Sequence, residues 1–171
     1  WDYVAQFFLP DVQRMGIFHD DVVISTSLFS PVSTLASLVA WLLVIVGGLA
    51  LLLVPGGGVV AYGLLFFPIG HSIESTVWPL ELYFEHRNYF PAIGLFLLIG
   101  SLFGLAVKRW PEIKAPLLVY LAGYVIWLAS LTSSQVVIWS SQPLLILNTL
   151  NGHPDSFRAN ADMAVQMANL G

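Results

Sequence analysis

Cysteine is absent from all 171 residues, which excludes disulfides and thiol catalysis and leaves no clue to the redox compartment. Charge is scarce: Asp, Glu, Lys and Arg make up 9% of the chain, against about 25% in soluble domains. No Walker loop, dinucleotide glycine fingerprint, His-Glu-x-x-His or Gly-x-Ser-x-Gly occurs, so the usual signatures of nucleotide, zinc-hydrolase and serine-hydrolase chemistry are missing. Gly56-Gly57-Gly58 follows Pro55 between two apolar runs and reads as a tight turn, not a phosphate loop. The six cationic residues are too few and too dispersed for a nucleic-acid surface. The long apolar runs hold no ionisable residue of the kind a proton relay needs, which argues against a pump within this segment.

What is abundant is apolar: 57% of residues are hydrophobic. That composition predicts an all-α, polytopic membrane protein, because a bilayer core takes about 20 apolar residues as helix. Four stretches qualify as crossings: Val32 to Val54, Val59 to about Pro68, Tyr89 to Val107, and Pro116 to about Val137. The second is short, so it is tilted in thinner lipid, extended to Ile73, or re-entrant. The resulting domains are 1–31 as a non-cytoplasmic interfacial segment, 32–137 as the transmembrane region with a 71–88 loop, and 138–171 as a link and a further helix. The chain opens on Trp1 and stops at Asn169-Leu170-Gly171 within a helical pattern, so it is expected to be a segment of a longer polypeptide. Lys108, Arg109 and Lys114 crowd one loop of seven residues, which the positive-inside rule places in the cytoplasm. Four crossings then put residues 1–31, the 71–88 loop and the tail together on the opposite face.

Chemistry is expected between the second and third runs. Glu74, Glu81 and Glu85 are three of the ten acidic residues, and they lie among His71, His86 and Arg87. Arg87 offers a permanent charge and a planar fork of donors suited to phosphate or carboxylate. Glu85 can orient that fork or accept a proton, and His86 belongs to the residue type that titrates near neutrality. Tyr83, Phe84, Tyr89 and Phe90 supply the flat surfaces of an interfacial aromatic belt. Together they suit an amphipathic ligand with an anionic head and an apolar chain. The plainer alternative is an interfacial Glu85–Arg87 ion pair, with Arg87 snorkelling beside the third run. Pro79 and Pro91 bracket one short amphipathic helix, in which Glu81 and Glu85 share a face. Two such carboxylates could bind a divalent cation or act as acid and base, or simply face water. His71 and Glu74, three apart, equally suit a polar helix end. His19-Asp20-Asp21 offers a second set of carboxylates, with a helix cap or solvated turn as the simpler reading.

The segment from His71 to Gly94 contains Leu80-Glu81-Leu82-Tyr83-Phe84-Glu85-His86-Arg87-Asn88-Tyr89-Phe90-Pro91. It resembles the signature late in the membrane domain of bacterial transmembrane-and-tetratricopeptide-repeat proteins, relatives of O-mannosyltransferases of the GT-C class. Phe18-His19-Asp20-Asp21 with Ser25, Pro31 and Thr34 resembles the loop before these spans, and Trp139-Ser140 the link into the repeats. The resemblance implies a membrane glycosyltransferase that takes sugar from a polyprenyl-phosphate donor, in the bacterial inner membrane, with the 71–88 loop and the repeats in the periplasm. Substrate contacts would then come from Glu85, His86, Arg87, Tyr89, Glu81, Glu74 and His71. The general base of GT-C enzymes lies in an earlier loop, so Asp20 and Asp21 remain weak catalytic candidates. No resident metal is implied, and membrane lipid and a protein bound through the repeats are the partners. The rival expectation is a non-catalytic anchor that displays repeats for envelope assembly.

The tail fits a first repeat helix by register. From Pro154, Met163, Ala164, Met167 and Gly171 lie nine, ten, thirteen and seventeen residues on. Pro154 and Asp155 suit the helix start. Phe157, Ala161, Ala164, Val165 and Ala168 fall near one face at helical spacing, an apolar face that one helix cannot bury by itself.

Overall fold

The long uncharged runs form helices. A computed structural model describes residues 1–72 and 85–170. Its α-helices among the described residues are α1 (Asp2–Phe8), α2 (Ser33–Leu51), α3 (Gly58–His71), α4 (Tyr89–Arg109), α5 (Lys114–Trp139), α6 (Gln142–Gly152) and α7 (Phe157–Leu170). Single 3-10 turns at Glu85–Asn88 and Pro111–Ile113 lead into α4 and α5. No strand forms among the described residues beyond one isolated bridge between Ser27 and Ser30. Three helices, each with its leading turn where it has one, are long and apolar enough to cross a membrane: Ser33–Leu51, His86–Arg109 and Pro111–Trp139. With 14 residues, α3 reaches only about 21 Å at ~1.5 Å per residue, short of a bilayer core of about 30 Å.

Helix α4 begins at Tyr89, where the third apolar run was expected to begin, and takes in Pro91, which was expected to close a separate helix. Proline is tolerated there because the N–H groups of a first helical turn have no intrahelical acceptor. Residues 79–84 of the helix expected between the two prolines lie outside the described residues, and its described end is the 3-10 turn at Glu85–Asn88 followed by the first residues of α4.

The chain divides into two compact units, Trp1 with Val23–Lys114, and Asp2–Val22 with Ala115–Gly171. In the first, α3 is flanked by α2 and α4. Glycine sets the α3–α4 approach. A Cβ on Gly63 would lie 2.7 Å from the Leu98 nitrogen and 2.9 Å from the Gly94 oxygen, and a Cβ on Gly94 would lie 2.9 Å from the Gly63 oxygen. Backbones therefore meet directly, the small-residue packing that serves helices where lipid is as apolar as any side chain. Val60, Ala61, Phe67, Ala92 and Leu95 fill the remaining interior. Between α2 and α3, Gly56 adopts φ of 82°, a left-handed geometry that glycine enters without penalty, and the Gly57 N–H donates to the Val54 carbonyl at 2.9 Å. The expected tight turn is what forms.

In the second unit, α5 buries none of its 26 residues. Its polar run is neutralised from within: Ser130, Thr132, Ser133 and Ser134 donate their hydroxyls to the carbonyls of Trp127, Leu128, Ala129 and Ser130 at 2.7, 2.9, 2.9 and 3.1 Å. Each hydroxyl is satisfied three or four residues back, so the helix continues through this polar stretch. Helix α6, with Pro143 in its first turn, occupies what the sequence suggested was a link. Helix α7 starts at Phe157, three residues after the proline proposed as its start. Its packed face carries Ala159, Asp162, Met163 and Gln166, while Phe157, Ala161, Ala164, Val165 and Ala168 are exposed. The apolar face that one helix cannot bury by itself is exposed, and Ala159 is buried on the other side.

Candidate functional site

At the shared end of α3 and α4, His71 is the last residue of α3 and Asn88 the residue before α4, both buried. The His71 Nε2 lies 3.3 Å from the Asn88 Oδ1, and a ring N–H donating to the amide oxygen fits that contact. Two residues that flank the 73–84 segment are thus joined directly. An aromatic series runs up to this pair: Trp1 stacks on Trp41 with centroids 4.6 Å apart, Trp41 on Phe67 at 5.8 Å, and Phe67 meets the His71 imidazole edge-on at 4.7 Å. The polar pair is therefore fixed by apolar walls. Of the predicted substrate residues, His86 is exposed, Arg87 half-buried, and Tyr89 77% exposed. Phe90, also exposed, meets Phe66 at 5.1 Å, which in turn meets Tyr62 at 5.4 Å. This end thus combines a buried imidazole–amide pair, a guanidinium and outward aromatic faces within one unit. Glu74 and Glu81 lie outside the described residues, and Glu85 is described by its backbone alone.

Asp20 and Asp21 fall in the other unit, where both carboxylates are engaged. Asp21 holds the His153 Nδ1 with its two oxygens at 2.8 and 3.0 Å, and the His153 Nε2 faces the Arg14 carbonyl at 3.0 Å. With an acceptor at each nitrogen, an imidazolium satisfies both, whereas a neutral ring can donate to only one. Ser156 donates its hydroxyl to the Asp20 Oδ1 at 2.5 Å and accepts the Ala159 N–H at 3.0 Å, while the Arg158 N–H donates to the Asp20 Oδ2 at 3.3 Å. Ser156 is the N-cap of α7, and Asp20 adds a second acceptor for its unpaired first-turn donors. The Ser156 hydroxyl, followed by smaller backbone contributions, holds the Asp20 carboxyl below its ordinary value of 3.8 against the opposing effect of desolvation. The His19 and His153 rings meet edge-on at 4.6 Å. Serine, histidine and aspartate are close here, yet the Ser156 hydroxyl is spent on Asp20 and the His153 Nε2 on a carbonyl. No nucleophile–base pair results. Nor does any group of three His, Asp or Glu suited to a metal occur among the described residues.

More donors converge on the same stretch. Gln135 reaches the Val12 carbonyl at 2.8 Å, and Asn148 the Val12 and Met15 carbonyls at 3.3 and 3.0 Å. A Cβ on Gly16 would lie 3.0 Å from the Thr149 methyl. Residues 11–21 form no helix or strand, and these side chains supply the partners that a ladder would otherwise provide. Sequence reading missed His153, Ser156, Asn148 and Gln135. For Ser156 a signal existed, a serine placed just before a helical run, the N-cap pattern.

Set against family models, curated proteins and solved structures, the chain matches none of them.

Proposed function

We propose that this chain carries the late membrane region of a GT-C-like glycosyltransferase, and that the shared end of α3 and α4 receives the head of a polyprenyl-phosphate sugar. The observation that carries the reading is the 71–94 sequence motif. Its geometric support is that His71 and Asn88, on either side of the undescribed segment, meet in a buried hydrogen bond beside Arg87. In this reading Arg87 contacts the phosphate as a bidentate donor. Glu85 and His86 orient it or the sugar, Tyr89 lines the path of the prenyl chain, and Glu81, Glu74 and His71 border the head group. Lipid on the outside is supported by three apolar helices with exposed faces. Helix α3 would be a fourth crossing in locally thinned bilayer. The 108–114 loop would face the cytoplasm, with the 71–88 segment and the tail in the periplasm of a bacterial inner membrane, and α7 would open a tetratricopeptide-repeat domain that binds acceptor or partner.

Titrating the detergent-solubilised protein with a short-chain polyprenyl-phosphate sugar tests this. Saturable binding weakened by about 1.5–3 kcal/mol in Arg87→Ala is expected, the scale of a hydrogen bond to a charged group. Unchanged binding in a folded variant would remove the phosphate assignment. The second reading, a non-catalytic anchor that displays repeats for envelope assembly, draws support from the outward apolar face of α7, where Phe157 is 79% and Val165 58% exposed. Absence of donor binding would favour it.

A further inference from the structure

Half of the chain's cations occupy one short stretch. Lys108 and Arg109 end α4, Trp110 follows, Pro111–Ile113 make one 3-10 turn, and Lys114 opens α5. Lys108, Arg109, Trp110, Glu112 and Lys114 are all exposed. Three cations stand against the single carboxylate of Glu112, in a chain whose net charge is −4. Among the described residues no carboxylate forms an ion pair with any of the three.

Cations in the last turn of a helix are favoured by its negative end, which accounts for Lys108 and Arg109 without any ligand. It does not account for Lys114, which sits at the positive end of α5, where a cation is disfavoured. An anion beside Lys114 would relieve that cost. Nor does the helix dipole explain the indole. Trp110 is 50% exposed, and the Arg109 guanidinium carbon lies 5.6 Å from its ring centroid. The main chain at Trp110 is anchored on both sides: the Trp110 N–H donates to the Ala106 carbonyl at 2.8 Å, and the Ile113 N–H donates to the Trp110 carbonyl at 3.2 Å. An exposed tryptophan at the end of a 24-residue apolar stretch suits the level of lipid head groups.

We propose that Lys108, Arg109, Trp110 and Lys114 form a binding site for the phosphate head group of an anionic phospholipid, with the indole seated against the upper acyl chain. The occupant is a lipid, not a soluble phosphate, because the cations directly follow an apolar helix and share their turn with an exposed indole. Lysine or arginine near an anionic leaflet gains roughly fivefold each in attraction. The site lies apart in sequence from Arg87 and holds whether or not that residue binds a sugar donor.

The test uses the purified chain in a neutral detergent, where membrane orientation plays no part, titrated with short-chain phosphatidylglycerol and separately with phosphatidylcholine, and read by native mass spectrometry. Wild type is expected to prefer phosphatidylglycerol by tenfold or more. The triple variant Lys108→Gln, Arg109→Gln, Lys114→Gln is expected to lose that preference, while Lys108→Arg with Lys114→Arg retains it and controls for folding. Trp110→Ala is expected to weaken both lipids alike. Equal binding of the two lipids by wild type would overturn the proposal, as would a preference that survives in the triple Gln variant. Displacement of phosphatidylglycerol by an equal concentration of inorganic phosphate would also overturn it, since the site would then read a bare phosphate.

Discussion

The helices α3 and α4 and the segment 11–21 are held by opposite means. Between the helices, Gly63 and Gly94 let backbone meet backbone, and His71 and Asn88 make a polar contact at their end. The 11–21 segment is held by side-chain donors from α5, α6 and the start of α7, with a carboxylate–imidazole pair at its end. The difference teaches where each can exist. Close glycine packing needs no water and survives in lipid. A non-helical segment exposes backbone groups that hydrocarbon cannot satisfy, so it needs a wall of donors or an aqueous surrounding.

Breaking the glycine contact should have the largest effect. Gly63→Leu places carbon against backbone atoms that cannot move aside, and is expected to cost about 3 kcal/mol, the upper end of overpacking, read by thermal unfolding in detergent. Gly100→Leu, where a Cβ would meet nothing within 4 Å, should leave the midpoint in place. Equal effects would show that α3 and α4 do not meet as described.

Breaking the polar clasp comes next. His153→Ala removes a ring that is 5% exposed and leaves Asp21 without its partner, for an expected loss of about 1.5–3 kcal/mol. Hydrogen exchange should rise in residues 11–21 and in the first turn of α7, and stay unchanged in α3 and α4. Ser156→Ala is milder, about 1 kcal/mol for a lost N-cap. Because the Ser156 hydroxyl is the largest cause lowering the Asp20 carboxyl, the same variant should raise the Asp20 titration midpoint, measured by carboxyl NMR.

The smallest effect concerns acid. Asp20 is depressed in the folded state, so its contribution is complete above the ordinary value of 3.8 and is lost as pH falls through the lower folded value. Exchange protection at the start of α7 should therefore persist at pH 4 and decline only under stronger acid. Since Asp20 is largely exposed, solvent screens the interaction and the loss is small. Protection already lost at pH 5 would argue against the Asp20 contact.

Helix existence was legible because uncharged runs have few other options. The predicted Val32–Val54, Tyr89–Val107 and Pro116–Val137 became Ser33–Leu51, Tyr89–Arg109 and Lys114–Trp139. Packing faces were not legible, because a helix that is apolar all round offers no moment to orient it. Nothing in the sequence sets Gly63 and Gly94 apart from other glycines, although each faces the other's carbonyl oxygen at a distance that leaves no room for a Cβ. In α7 the bulky apolar residues Phe157 and Val165 are exposed, while small Ala159 is buried. The clasp was hidden by distance, with Asp21 and His153 separated by 132 residues. At the candidate site, Asn88, a partner of His71, carried no signal beyond its place before a helix.

The most direct test of the account is where a lipid phosphate lands. A polyprenyl phosphate bearing a photoreactive group beside its head can be cross-linked to the membrane-embedded protein and mapped by peptide mass spectrometry. The account predicts labelling in residues 85–91, abolished by excess unlabelled donor and reduced in Arg87→Ala. Labelling confined to residues 108–114, or spread evenly over the exposed faces of α2, α4 and α5, would contradict it.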